Sequence, residues 1–222
     1  MGILQIFTLL GAMGMFLYGM NLMSSGLQKA AGDKLRGFLS AMTSNPFKRV
    51  MTGVGITALI QSSSATTVMV VSFVNAGLLT LVQAIGVIMG ANIGTTITAN
   101  IAAAVANTSA KRAARAHTIF NVIGVVWVLA LLNPIVNLIC HIMQSIGFYD
   151  PVEASHQLAV IANSGMTPDP ELMETYKNSL LYGIAMLHTL FNITNTCVLI
   201  WFTPLIEKAV VWLVKEPKGE TE

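Results

Sequence analysis

The chain has few charged residues. Only 10% of its 222 residues are Asp, Glu, Lys or Arg, against about 25% in soluble globular proteins, and 54% are hydrophobic. The formal net charge of +2 is too small to indicate a nucleic-acid partner. No charged residue occurs between residues 50 and 110, 116 and 149, or 178 and 206. Because about 20 apolar residues span a bilayer, these gaps predict an all-α, multi-pass integral membrane protein.

Cysteine and processing signals are also scarce. The only two cysteines, Cys140 and Cys197, lie in apolar stretches, where we expect small buried hydrophobic side chains rather than a disulfide or a metal pair. Met1 to Met20 has no basic segment and no small-residue cleavage site. We therefore expect it to belong to the first membrane helix rather than to a cleaved signal peptide.

Two polar clusters interrupt the longest uncharged stretch. In the first, six of seven residues carry a hydroxyl or an amide: Gln61-Ser62-Ser63-Ser64-Ala65-Thr66-Thr67. The second is Gly90-Ala91-Asn92-Ile93-Gly94-Thr95-Thr96. Each polar group left unsatisfied in lipid costs about 2–7 kcal/mol, and irregular polar backbone is tolerated at membrane depth only where it lines a protein or water cavity. The clusters therefore predict a solute site inside the membrane.

The two clusters predict two kinds of interrupted helix. Residues 47–75 form either one tilted span or a re-entrant hairpin of two half-helices with the Gln-Ser-Ser-Ser turn at its tip. Residues 66–76 reach only about 17 Å as a helix, short of the roughly 30 Å hydrocarbon core, which favours the hairpin. The glycine-bracketed second cluster predicts a discontinuous helix, with segments 78–90 and 97–105 on either side of the break.

The remaining pattern predicts further spans and surface segments. We expect a first span at Ile3–Ser24, an interfacial helix at Leu27–Met42 closed by Asn45-Pro46, a span from Thr118 to Leu132 continuing to Ile146, a polar loop over residues 147–178, a last span at 179–202 and an interfacial helix at 205–214. The pentapeptide starting at His117 recurs, with one change, at His188, which indicates a duplicated architecture.

The chemistry of the clusters suits ions. Hydroxyl and carbonyl oxygens are ligands for alkali cations. A helix that begins inside the membrane presents free N–H groups and a partial positive charge, which favour an anion without any Arg or Lys. We expect Ser64, Thr66 or Thr67 to cap the first such half-helix, and Asn92 or Thr95 the second. A bound anion requires neutralising cations, which predicts coupling to sodium.

The polar residues also fit two roles that involve no transport. Serine and threonine can simply join packed membrane helices. An intramembrane serine hydrolase would use one of Ser62–Ser64 with His117 or His188 as its base. No Gly-x-Ser-x-Gly motif is present, and both histidines lie at the starts of their predicted spans. We therefore expect no enzyme and no cofactor other than sodium as the coupling ion.

The paired motifs Gln61-Ser62-Ser63-Ser64 and Gly90-Ala91-Asn92-Ile93-Gly94-Thr95-Thr96 resemble those of the bacterial sodium–phosphate cotransporter family (type II, Na/Pi), and the resemblance extends over essentially the whole chain. It implies sodium-coupled transport of inorganic phosphate across the bacterial inner (plasma) membrane. By this resemblance, the phosphate-binding residues are Gln61, Ser62, Ser63, Ser64, Thr66, Asn92, Gly94, Thr95 and Thr96. The sodium ligands are drawn from Ser62, Ser64, Thr67, Asn92 and Thr95.

The chain departs from the family pattern in one respect. Members carry two inverted repeats, whereas this chain has one copy of each motif: residues 1–96 resemble the first repeat and residues 97–222 the end of the second. We expect a single membrane domain over residues 1–222, equivalent to about one repeat or an internally deleted member, without the C-terminal regulator-like domain. An antiparallel homodimer would complete such a transporter. The alternatives are an inactive or scaffold-type fragment and a passive anion channel.

Overall fold

The computed structural model describes residues 2–30, 33–164 and 168–216, and within these ranges the chain is helical and contains no strand. The all-α prediction is therefore confirmed. A 3-10 turn at Ile200–Phe202 joins the last two helices. The helices are α1 Ile3–Ala30, α2 Asp33–Met42, α3 Pro46–Ile60, α4 Ser63–Asn75, α5 Leu81–Ala103, α6 Thr108–Ala130, α7 Leu132–Ser145, α8 Pro151–Ser164, α9 Pro170–Leu199 and α10 Thr203–Leu213.

Three helical segments of the described chain are long and apolar enough to cross a membrane. They are α5 and α6, with 23 residues each, and the 44-residue stretch from Pro170 to Leu213 that includes α9 and α10. Large apolar side chains also face outward, for example Leu59, Val105 and Trp201, which are 86%, 95% and 83% exposed. Such a surface suits lipid rather than water. The chain is therefore a multi-pass membrane protein.

Helix α5 lies at the centre of the molecule. Its side chains Ile85, Ile88 and Met89 are at most 1% exposed. They belong to a core that also contains Val74 of α4 and Leu180 of α9, both 0% exposed. The second polar cluster is part of α5 and therefore belongs to a helix that packs into the core.

The predicted discontinuous helix is wrong. Helix α5 runs without a break through Gly90–Thr96. Its glycines at every fourth position, 86, 90 and 94, lie against α3: a Cβ at Gly90 would overlap the carbonyl oxygen of Val50, and one at Gly94 would lie 2.7 Å from Cβ of Thr57. Small residues on one stripe allow two membrane helices to approach closely. These glycines therefore permit close packing and do not mark a break.

The polar loop predicted over residues 147–178 is also wrong, because α8 and the start of α9 occupy most of it. Both helices begin with a proline next to an aspartate. The carboxylate of Asp150 accepts hydrogen bonds from the amides of Val152 and Glu153, and that of Asp169 accepts one from Glu171. Proline at the first helical position and a capping aspartate are start signals for helices. Pro151 and Pro170 thus begin helices and do not exclude them.

Three smaller boundaries differ from expectation. Asn45 caps α3, accepting a hydrogen bond from the amide of Lys48, and does not close the helix before it. Helix α6 begins at Thr108 under an Asn107 cap, ten residues before the predicted span. Helix α9 likewise begins early, at Pro170. Because of these two early starts, His117 and His188 lie inside α6 and α9 and not at their starts.

Candidate functional site

The first polar cluster forms the turn between two short helices. Helix α3 ends at Ile60, and Gln61 adopts a left-handed conformation with φ 59° and ψ 27°, its amide donating to the carbonyl oxygen of Thr57 at 2.7 Å. Ser62 is extended and begins α4. The 15 residues of α3 and 13 residues of α4 give lengths of about 23 and 20 Å. Each helix is thus shorter than the roughly 30 Å hydrocarbon core.

The start of α4 presents free hydrogen-bond donors. Its cap is Ser62, whose Oγ accepts from the amide of Ala65 at 3.2 Å, and not Ser64, Thr66 or Thr67 as expected. Within the described ranges, the amides of Ser63 and Ser64 have no acceptor. Ser64 is exposed, and Ser62 and Ser63 are half-buried. Two unpaired amides, the helix dipole and three serine hydroxyls together favour an anion.

A buried junction fixes this turn to α5. The Thr57 hydroxyl donates to Oγ1 of Thr66 at 3.0 Å, and both residues are 0% exposed. The Thr66 hydroxyl donates onward to the carbonyl oxygen of Ser62 at 2.9 Å. Thr57 also contacts Gly94. Thr57 is not among the predicted site residues, although the four-residue spacing of the α5 glycines could have indicated a neighbouring helix there.

Helices α3 and α5 run parallel. Arg49 packs on Gly86, Val50 on Gly90, and Thr57 on Gly94, so residue numbers increase in the same direction along both helices. Continuing this register places the turn at Gln61 about one helical turn beyond Gly94. The turn therefore lies level with the second half of the Gly90–Thr96 cluster and the residues that follow it.

Members of the second cluster lie on different faces of α5. Asn92 is two residues from Gly94, or about 200° around the helix, so only one of the two can face α3. The Nδ2 atom of Asn92 is buried and has no hydrogen-bond partner in the described part of the chain. The hydroxyls of Thr95 and Thr96 donate to the carbonyls of Ala91 and Ile93 at 3.1 and 2.7 Å. Asn92 and Thr95 lie inside a helix and do not cap one.

The remaining predicted residues are dispersed. Thr67 lines a cavity of about 320 Å³ between α1, α4 and α9, together with Phe16 and His188. Among the described residues, no hydrogen bond joins either His117 or His188 to the serines of the turn. In both copies of the repeated pentapeptide, the asparagine donates to the carbonyl of the histidine four residues earlier. This arrangement gives no nucleophile–base pair.

Several relatives of this chain are named as phosphate transport proteins. It is 43% identical over 104 residues to the human sodium-dependent phosphate transport protein 2B, covering 46% of this chain and 15% of the relative. Rat sodium-dependent phosphate transport protein 2A is 37% identical over 138 residues, covering 58% and 22%. The putative inorganic phosphate export protein YjbB of Escherichia coli strain K12 is 36% identical over 98 residues, covering 44% and 18%. The matches thus span 15 to 22% of these relatives' own lengths.

The sequence model of the Na+/Pi-cotransporter family matches residues 15–149. No solved structure matches the chain. The matched residues include the turn at Gln61, the buried Thr57–Thr66 junction and all of α5. Since the match covers more than half of the chain and contains both polar clusters, the chain belongs to the Na+/Pi-cotransporter family.

Proposed function

We propose that this chain carries inorganic phosphate across the bacterial inner membrane and that a sodium gradient drives the transport. The observation that carries the proposal is the start of α4, where two unpaired amides and three serines meet in a stretch without formal charge. Membership of the family supports the choice of phosphate, as do the names of the human and rat relatives.

The anion is bound at the turn in this proposal. Gln61, Ser62, Ser63 and Ser64 offer donors to the phosphate oxygens, and Thr66 holds the turn in place through Thr57. Because the donors are backbone amides and hydroxyls, the site binds phosphate without a fixed positive charge. In this proposal Asn92, Gly94, Thr95 and Thr96 of the second cluster also contribute, and the contact of Gly94 with Thr57 supports the part of Gly94.

Sodium supplies the missing positive charge. Phosphate carries one to two negative charges near neutral pH, and burying that charge unpaired is strongly unfavourable. The oxygen atoms of Ser62, Ser64, Thr67, Asn92 and Thr95 are the proposed ligands, because hard oxygen donors suit alkali cations. Binding of sodium together with phosphate thus gives a physical basis for coupling the transport of the two ions.

The buried Nδ2 of Asn92 supports a role for this residue in binding a ligand. An unpaired buried donor costs about 1–3 kcal/mol, so it is expected to find an acceptor in another bound or conformational state. In this proposal, the acceptor is an oxygen of the bound anion or a polar group on a helix that has moved.

Uptake of labelled phosphate by the purified chain in proteoliposomes tests the function. We expect uptake with an inward sodium gradient and none when potassium replaces sodium. Uptake that is indifferent to sodium would instead indicate a passive anion channel. No uptake from correctly inserted protein would indicate a scaffold-type fragment.

A further inference from the structure

A second polar feature lies between α5 and α6. The two helices enclose a groove of about 400 Å³ that contains one cationic side chain, Arg115. Asn100 fixes the groove wall, since its Nδ2 donates to Oγ1 of Thr118 and to the carbonyl oxygen of Thr96, both at 2.7 Å. Ile97, Ile101 and Ala104 of the segment that ends α5 also line the groove.

The side chain of Arg115 is exposed and has no partner among the described residues. Within the described part of the chain, it makes no hydrogen bond and no ion pair. Arg112, one turn earlier in α6, is satisfied: its Nε donates to the carbonyl oxygen of Val214 at 3.1 Å, and its NH1 lies 3.1 Å from the Glu216 carboxylate. A planar guanidinium presents several donors in a geometry that matches an oxyanion. Arg115 is therefore available to a ligand, whereas Arg112 is used by the fold.

The groove leads to the hairpin turn. Gly90, Gly94, Ile97 and Ile101 are spaced by four, three and four residues, so they form one stripe along α5. Helix α3 covers the glycine part of this stripe and ends at Ile60. Where α3 ends, Ile97 and Ile101 become the floor of the groove. No residue of the turn lines the groove, but the register of α3 with α5 places the turn that begins at Gln61 level with Ile97 and Ile101.

We propose that Arg115 and this groove form a binding site for inorganic phosphate that leads to the hairpin turn. The inference rests on the proposed function, because it gives the same substrate an access route. A phosphate group could come from the free ion or from a phospholipid headgroup. The guanidinium of Arg115 and the position of the groove floor level with the turn favour the free ion. The rest of the lining is mainly apolar, and the hydroxyls of Thr96 and Thr118 and the Nδ2 of Asn100 already donate hydrogen bonds within α5 and α6.

Protection of an engineered cysteine tests the site without any transport. Ala104 is exposed and lines the groove, so Ala104→Cys in a Cys140→Ala, Cys197→Ala background reports access to it. The probe is inorganic phosphate added to detergent-purified protein, and the label is an uncharged, water-soluble thiol reagent. We expect phosphate to slow labelling, and Arg115→Gln to raise the half-protecting concentration about tenfold, as loss of one charge-assisted hydrogen bond predicts.

Matched variants separate this effect from general charge loss. Lys208→Gln removes a positive charge from α10, outside the groove, and should leave protection unchanged. Labelling of Ser109→Cys, which is exposed but does not line the groove, should not respond to phosphate. Arg115→Lys keeps the charge without the guanidinium fork and should give intermediate protection. Monodisperse gel filtration of each variant confirms that it folds.

Two results would overturn the inference: protection that Arg115→Gln leaves unchanged, or protection by anionic phospholipid but not by free phosphate. Its failure is distinguishable from failure of the proposed function. Sodium-driven uptake without Arg115-dependent protection rejects the groove site alone. Arg115-dependent protection without uptake rejects the transport function alone.

Discussion

At Gln61, the effect of the backbone conformation on stability can be separated from the effect of the side chain on phosphate binding. Its left-handed conformation costs a non-glycine residue about 1–2 kcal/mol, and its exposed side chain makes no hydrogen bond in the described part of the chain. Glycine would relieve that strain while gaining entropy in the unfolded chain. We expect Gln61→Gly to change the stability to unfolding by no more than about 1 kcal/mol, yet to weaken phosphate binding, because the amide donor is lost.

Thermal unfolding in detergent and equilibrium phosphate binding measure the two effects on the same preparation. Unchanged phosphate affinity in stable Gln61→Gly protein would remove Gln61 from the site. A glycine at this position is compatible with the turn, so the presence of glutamine there is itself a sign of a chemical role.

At the scale of the element, the contact between α3 and α5 depends on glycine. Because a Cβ at Gly90 would overlap the Val50 carbonyl, Gly90→Ala must push the two helices apart. We expect it to destabilise the protein by several kcal/mol, in the range of overpacked cores. Gly55→Ala is the matched control: Gly55 is exposed in α3, a Cβ there would meet nothing within 4 Å, and alanine should stabilise by up to about 1 kcal/mol. Equal thermal stability of the two variants would contradict this packing.

The elements also show what the sequence could and could not predict. The short apolar lengths around Gln61 indicated two half-helices, and two helices, α3 and α4, are present. The Gly90–Thr96 cluster was misassigned because glycine both breaks helices and lets them pack closely. The register with α3, which distinguishes the two cases, depends on a tertiary contact. The groove at Arg115 was not predictable either, since it needs the pairing of α5 with α6 through Asn100 and Thr118.

At the scale of the whole molecule, the path of the hairpin decides the orientation in the membrane. If α3 and α4 enter and leave the membrane on one face, six of the twelve Lys and Arg residues lie on each side of the membrane. The positive-inside rule then gives almost no preference for either orientation. If residues 47–76 instead cross the membrane, eleven of the twelve Lys and Arg residues lie on one side, and the rule favours a single orientation. The bond from Arg112 to Val214 supports placing the start of α6 and the end of α10 on the same face.

Labelling from each side of sealed vesicles tests the orientation. Ser44→Cys and Ser109→Cys are both exposed and flank the hairpin and α5. A re-entrant hairpin with balanced charge predicts labelling of both positions from both faces, as an antiparallel homodimer requires. Labelling of the two positions from opposite faces keeps the hairpin but excludes opposed copies. Labelling of both from the same single face rejects the hairpin.

The most direct measurement for the whole account is equilibrium binding of labelled phosphate to the purified chain in sodium and in potassium, with Ser63→Ala beside the wild type. We expect saturable binding in sodium only. Because Ser63 lies at the unpaired start of α4, its substitution should weaken binding about tenfold, as loss of one charge-assisted hydrogen bond predicts, while Ser109→Ala should have no effect. Phosphate binding that is equal in both salts and insensitive to Ser63→Ala would contradict the assignment of the hairpin turn as the phosphate site.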